Sequence, residues 1–128
     1  AGGLGFGMRS FLDAQLCHGF TTVATVLQLD DAVKKADLVI GGEGSIDLQT
    51  MDGKVLKGLS EICKRHNKPL ILVAGKIANQ MVMKDLLHAK DAFQLVNDNI
   101  TEQQAIENAN VLLEKTGSLI AQKYLMNE

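Results

Sequence analysis

The chain has 128 residues, 46% apolar and 22% charged, with a formal net charge of -2, which suits one domain able to bury roughly two thirds of the surface its unfolded form would expose. Acidic and basic residues are interleaved, so the composition excludes a nucleic-acid or membrane surface and leaves a neutral small molecule or a protein as the expected partner. The longest apolar run, residues 70–74, is far too short to span a bilayer, and the amino terminus lacks the basic and apolar regions of a signal peptide, so a cytoplasmic location is expected.

In chain order, Gly2-Gly3-Leu4-Gly5-Phe6-Gly7 forms a glycine-rich segment running into a helical face of Met8, Phe11, Leu12, Gln15 and Leu16. Unpaired amides at such a junction can hold an anion, while a simple hinge explains the glycines equally well. Residues 21–29 combine β-branched residues with the helical spacing of Val23, Val26 and Leu27, and are read as helix. Asp30 is expected to cap a short turn through Ala32, Val33 and Ala36. A buried strand, Leu38, Val39 and Ile40, then breaks at Gly41-Gly42 into a polar loop carrying Glu43, Ser45, Asp47, Gln49 and Thr50, and a helix follows from Gly53-Lys54.

That helix should bury Val55, Leu59, Ile62, Cys63 and His66, with Lys64, Arg65 and Lys68 near its carboxyl end and Pro69 as its stop. Cys17 and Cys63 both occupy apolar positions of helical patterns, which predicts two buried thiols rather than a disulfide or metal pair, and a reducing compartment. The apolar run 70–74, closed by Gly75-Lys76, reads as a strand covered on both faces. The next helix should bury Met81, Val82, Leu86 and Leu87, followed by a short strand through Ala92, Phe93, Leu95 and Val96. Thr101 and Gln104 match a capping box, opening one long helix through Tyr124. Three βα units result, the pattern of a parallel α/β sheet.

The chemistry is expected at the loop after the first strand, because ligands of open parallel sheets bind outside the carboxyl ends of the strands. Glu43 and Asp47 could hold Mg²⁺ or accept a proton, while Ser45, Lys54 and the helix amino terminus could neutralise phosphates. The competing reading is that Asp47, Thr50 and Asp52 cap turns and that Glu43 is solvated. His18, His66 and His88 sit near helix ends and are assigned structural roles, and no Cys/His metal spacing is present.

The segments AGGLGFGM (residues 1–8), DLVIGGEGSIDLQTMDGKVLKG (37–58), KPLILVAG (68–75) and DAFQLV (91–96) resemble the carboxyl-terminal part of the bacterial glycerate kinase family. The resemblance implies ATP- and Mg²⁺-dependent phosphorylation of glycerate to 2-phosphoglycerate in a two-domain enzyme with a Rossmann-like larger domain. It would place residues 1–20 at the domain junction and 21–128 in the Rossmann-like domain. Gly2, Gly3, Gly5 and Gly7 match its glycine-rich junction, and Gly42, Glu43, Gly44, Ile46, Asp47, Gln49, Thr50, Gly53 and Lys54 its signature loop. Asp47, then Glu43, would be the catalytic or metal-holding carboxylates, with Gly2, Gly3, Gly5, Gly42, Gly44, Ser45 and Lys54 around substrate or phosphate.

Ser45 replaces a basic residue common in the family. The segment from Gly75 to Asn79 departs from the family pattern, so Lys76 and Asn79 receive no role. Family members are much longer, so the isolated chain is expected to lack activity without an amino-terminal segment of the same enzyme, and an uncovered apolar face could drive self-association. A non-catalytic nucleotide- or anion-binding module and a receiver-like signalling domain are the alternatives.

Overall fold

The structure, a computed structural model, describes residues 2–48 and 54–126. Seven helices and three strands are described among them: α1 (Leu4–Leu12), α2 (Gly19–Val26), α3 (Leu29–Lys35), β1 (Val39–Ile46), α4 (Lys54–Arg65), β2 (Leu70–Ile77), α5 (Gln80–Leu86), β3 (Asp91–Gln94), α6 (Glu102–Glu107) and α7 (Ala109–Tyr124). The strands form one parallel sheet in the order β1-β2-β3. The expected α/β class with three βα units is therefore present.

Alternation along β2 divides its side chains between two helical layers. Leu70, Leu72 and Ala74 join the larger core with Leu56, Leu59, Ile62 and Cys63 of α4 and Met83 of α5, whereas Ile71 and Val73 face Ile120 and Tyr124 of α7. Both crossover helices lie on the first face and the carboxyl-terminal pair covers the second, so helices occupy both faces as expected. Burying side chains on both faces explains the continuous apolar run of β2.

Local chemistry ends each crossover helix. Asn67 has φ 52°, with its amide donating to Lys64 O and that of Lys68 donating to Cys63 O at 2.8 Å. His88, with φ 48°, repeats the arrangement through Asp85 O and Ala89 N to Lys84 O. Both are the paired closures made when a residue past a helix adopts the left-handed conformation. His88 thus has the structural role expected of it. Ser60, buried on α4, donates to Leu87 O at 2.6 Å and ties the end of α5 to α4.

Several expectations are corrected. The segment after Ile40 is strand, not loop: β1 continues through both glycines to Ile46, because β2 offers backbone partners throughout. Leu56, not Val55, enters the α4 core, and Val55 is exposed. At α5, Leu87 is buried as expected but its buried companion is Met83, and Met81, Val82 and Leu86 are exposed. The long final helix is interrupted at Asn108, which ends α6 and precedes α7, although the capping box of Thr101 and Gln104 is present. Helix α1 begins at Leu4 rather than near Met8, and Cys17 is exposed outside any helix, while Cys63 is buried.

Asp30 lies inside the first turn of α3 rather than capping it. Its Oδ1 and Oδ2 stand 2.5 Å from Arg65 Nη1 and 2.7 Å from His66 Nε2, pinning α3 to the end of α4. The hydrogen bond from His66 and the nearby cationic charge hold its carboxyl below the usual carboxylate range.

A second carboxylate fixes the amino end of β3. Asp91 accepts from Lys123 Nζ at 2.6 Å, Tyr124 OH at 2.8 Å and its neighbour Ala92 N at 2.9 Å, so the end of α7 is tied to the sheet. Burial raises its pKa, but these three donors outweigh burial and hold it far below the usual value. A carboxyl depressed in the folded state contributes stability that is complete above its unfolded pKa of about 4 and is lost as pH falls toward the folded value. Asp91→Asn is accordingly expected to lose about 1–3 kcal/mol at pH 7 and less at pH 3. Urea midpoints at both pH values check this; an equal loss at both would show that the charge is not what holds α7.

Candidate active site

At the carboxyl end of the sheet an open cleft of about 980 Å³ lies between the strands and the helices α6 and α7. Its sheet wall is Ile40, Gly42, Glu43, Gly44 and Ser45 of β1 with Val73 to Lys76 of β2, and its helical wall includes Ala105, Ala109, Thr116 and Gly117. The bare β1 glycines leave the wall shallow, so a ligand can lie close to the backbone.

Gly44 and Gly75 shape this wall together. The register pairs Glu43 with Ala74 and Ser45 with Lys76. Between them, a Cβ on Gly75 would stand 2.6 Å from the carbonyl oxygen of Gly44. Past this point the alternation slips by one residue: Ile77 joins the same core as Leu70, Leu72 and Ala74, and Ile46, its register partner, joins it too. Ile46 is fully buried, and its carbonyl accepts from Ala78 N at 2.9 Å. The strand end leading to Asp47 is thereby fixed.

The candidate residues separate into four groups. Gly42, Glu43, Gly44 and Ser45 line the cleft. Asp47 follows β1 immediately, half-buried, and is not among the described lining residues. Gly2 and Gly3 precede α1 in a turn and Gly5 lies within it, and none of the three is among the described lining residues. Lys54 opens α4, whereas Gln49, Thr50, Asp52 and Gly53 lie outside the described residues.

The helical wall is an addition to the expected site. Its signal in the sequence is Ala109, Leu113 and Gly117, four apart, which lie along one side of α7. Lys76 and Glu102 are likewise cleft residues that the sequence reading leaves out, although an ion pair joins them at the mouth. Among the described residues no group of three His, Cys, Asp or Glu could hold a metal by itself. Glu43 and Asp47 nevertheless supply the hard carboxylate oxygens that suit Mg²⁺, which is commonly held by one or two carboxylates together with substrate phosphates.

A parallel sheet with helices on both faces, opening at its glycine-rich carboxyl edge into a cleft bearing carboxylate, hydroxyl and ammonium groups, gives the chain a Rossmann-like α/β fold. Residues 1–125 match the model of the glycerate kinase family, to which this chain belongs. It is 36% identical to a glycerate kinase of Bacillus subtilis over 122 residues, covering 94% of this chain and 32% of that protein. It is 40% identical to the glycerate 2-kinase of Escherichia coli over 81 residues, 63% of this chain and 21% of that one. A crystal structure of a putative glycerate kinase 2 from Salmonella typhimurium LT2 superposes over 98% of this chain and 32% of its own, with a TM-score of 0.57 and 33% identity. The chain spans about a third of the length of the first relatives it matches. No described helix is long and apolar enough to cross a membrane.

Proposed function

We propose that this chain supplies one wall of the active cleft of a glycerate kinase that transfers the γ-phosphoryl group of ATP to a hydroxyl of glycerate, giving 2-phosphoglycerate. The observation carrying this reading is the conjunction of the family match over residues 1–125 with Glu43, Gly44 and Ser45 lining a cleft at the carboxyl edge of the sheet. Phosphoryl transfer asks little covalent chemistry of a protein; positioning and charge neutralisation dominate. Glycines 42 and 44 would admit the phosphates close to the backbone. Ser45 and Lys54 would donate to them.

Asp47 would accept the substrate hydroxyl proton or help hold Mg²⁺, with Glu43 as the second carboxylate. Mg²⁺ held by these carboxylates would supply charge neutralisation at the phosphates. Gly2, Gly3 and Gly5 are proposed to belong to the junction with the remainder of a longer polypeptide, residues 21–128 forming the Rossmann-like part.

The cleft also exposes Ile40, Ile106 and Leu113, an apolar surface of the kind that another part of the same enzyme would cover. Without that cover the chain would self-associate or remain inactive. The test is ADP release from ATP, Mg²⁺ and glycerate, measured for this chain alone and within its natural polypeptide. Glycerate-dependent release is expected only from the latter. Nucleotide binding by the complete polypeptide with no ADP release would replace the kinase by a non-catalytic nucleotide-binding module.

A further inference from the structure

Three charged residues are described in the cleft lining: Glu43 on β1, Lys76 on β2 and Glu102 at the start of α6. Lys76 is the register partner of Ser45, so these side chains stand beside each other on the sheet wall. Its Nζ is ion-paired with a Glu102 carboxylate oxygen. Both side chains are more than half exposed, at 56% and 60%, so water reaches the pair and an entering anion can compete for the ammonium. With both carboxylates present the lining carries one more negative than positive charge, an unfavourable field for a phosphate unless a carboxylate withdraws or a cation bridges it.

We propose that Lys76 is a further phosphate contact of this cleft, beside Ser45, and that Glu102 occupies it as an internal anion, displaced when a ligand phosphoryl group binds. A phosphate competes well because it offers several charged oxygens to the same ammonium. The pair also ties α6 to β2, so displacement frees the first turn of α6 from the sheet while buried Ala105 keeps its later part in place. The inference rests on the nucleotide-cleft reading, and it names a residue outside the signature segment. The phosphoryl group could belong to the nucleotide or to the phosphorylated product.

The test titrates the complete polypeptide with pyrophosphate, ADP and 2-phosphoglycerate, each with and without Mg²⁺, by calorimetry and by NMR of the lysine ammonium groups. Glu102→Gln should tighten binding about two- to fivefold, the range of an exposed ion pair, and Lys76→Gln should weaken it about tenfold. In the double variant the gain from Glu102→Gln should vanish. A Glu102 effect on ADP alone identifies the nucleotide as the phosphate source, and one on 2-phosphoglycerate alone identifies the product.

Affinities indifferent to both substitutions overturn the exchange while leaving the kinase reading intact. No binding of any of the three probes at about 10 mM, roughly tenfold above a millimolar dissociation constant, also overturns it. The kinase reading is then decided separately by glycerate-dependent ADP release.

Discussion

Asp47→Asn, placed in the complete polypeptide, is expected to lower glycerate-dependent ADP release by about 10²–10⁴-fold, the usual contribution of a positioned proton acceptor. The substitution is informative because Asn keeps the size of Asp and its capacity to hydrogen-bond neighbouring backbone in a turn, but cannot take a proton or offer a charged oxygen to a metal. The position begins from a firm base: Ile46 is wholly buried and its carbonyl is held by Ala78 N. These contacts of Ile46 do not involve the Asp47 carboxylate. A loss in kcat with unchanged thermal stability would identify chemistry at this carboxylate. Near-full activity would return Asp47 to the role of a turn former and move attention to Glu43→Gln.

Gly75→Ala is expected to cost about 1–3 kcal/mol, the range for forcing extra volume into a packed site, and to weaken nucleotide binding as well. The added methyl would meet the Gly44 carbonyl oxygen at 2.6 Å, well inside the roughly 3.3–3.6 Å at which carbon and oxygen ordinarily touch. Relief requires moving a peptide unit of β1 or β2. Gly44 is the easier to move, and it lies between Glu43 and Ser45 in the cleft wall. Stability and ligand affinity should therefore fall together. Urea midpoints at constant slope, with ADP titrations of the same protein, check both; an unchanged midpoint would mean that the strands separate there at no cost.

Much of the fold is legible in the chain because its signals are local. The apolar run of β2, the Thr101 and Gln104 box, and Pro69 after α4 each have their meaning within a few residues. Expectation and structure part where distant partners decide the outcome. Gly41 and Gly42 read as a break, but Leu56 and Leu59 pack closely over Gly41, where a Cβ would stand 2.8 Å from Leu56 Cδ2, and β2 supplies the hydrogen bonds that keep the segment extended. At α5 the spacing of Met81, Val82, Leu86 and Leu87 suggests the buried face, whereas the crossover turns Met83 inward with Leu87 and leaves the other three exposed.

Within the candidate site, Gly42, Glu43, Gly44 and Ser45 are legible as a group because glycine, carboxylate and hydroxyl are contiguous. Lys76 and Glu102 are not. They are separated by 26 residues, and only the parallel alignment of β2 with β1 and the return of α6 across the sheet edge bring them to one mouth.

The strand order β1-β2-β3 also bears on how the molecule is made. Each strand pairs with its predecessor through one crossover, from Val39 to Leu70 and from Ile71 to Asp91, and no described later strand inserts between earlier ones. Loop closure is thus spread over modest separations rather than deferred to the end of the chain, which limits the entropic cost of each pairing. On the ribosome, β1 and β2 can pair as soon as α4 has emerged between them, leaving α7 to arrive last and close the second face of the sheet.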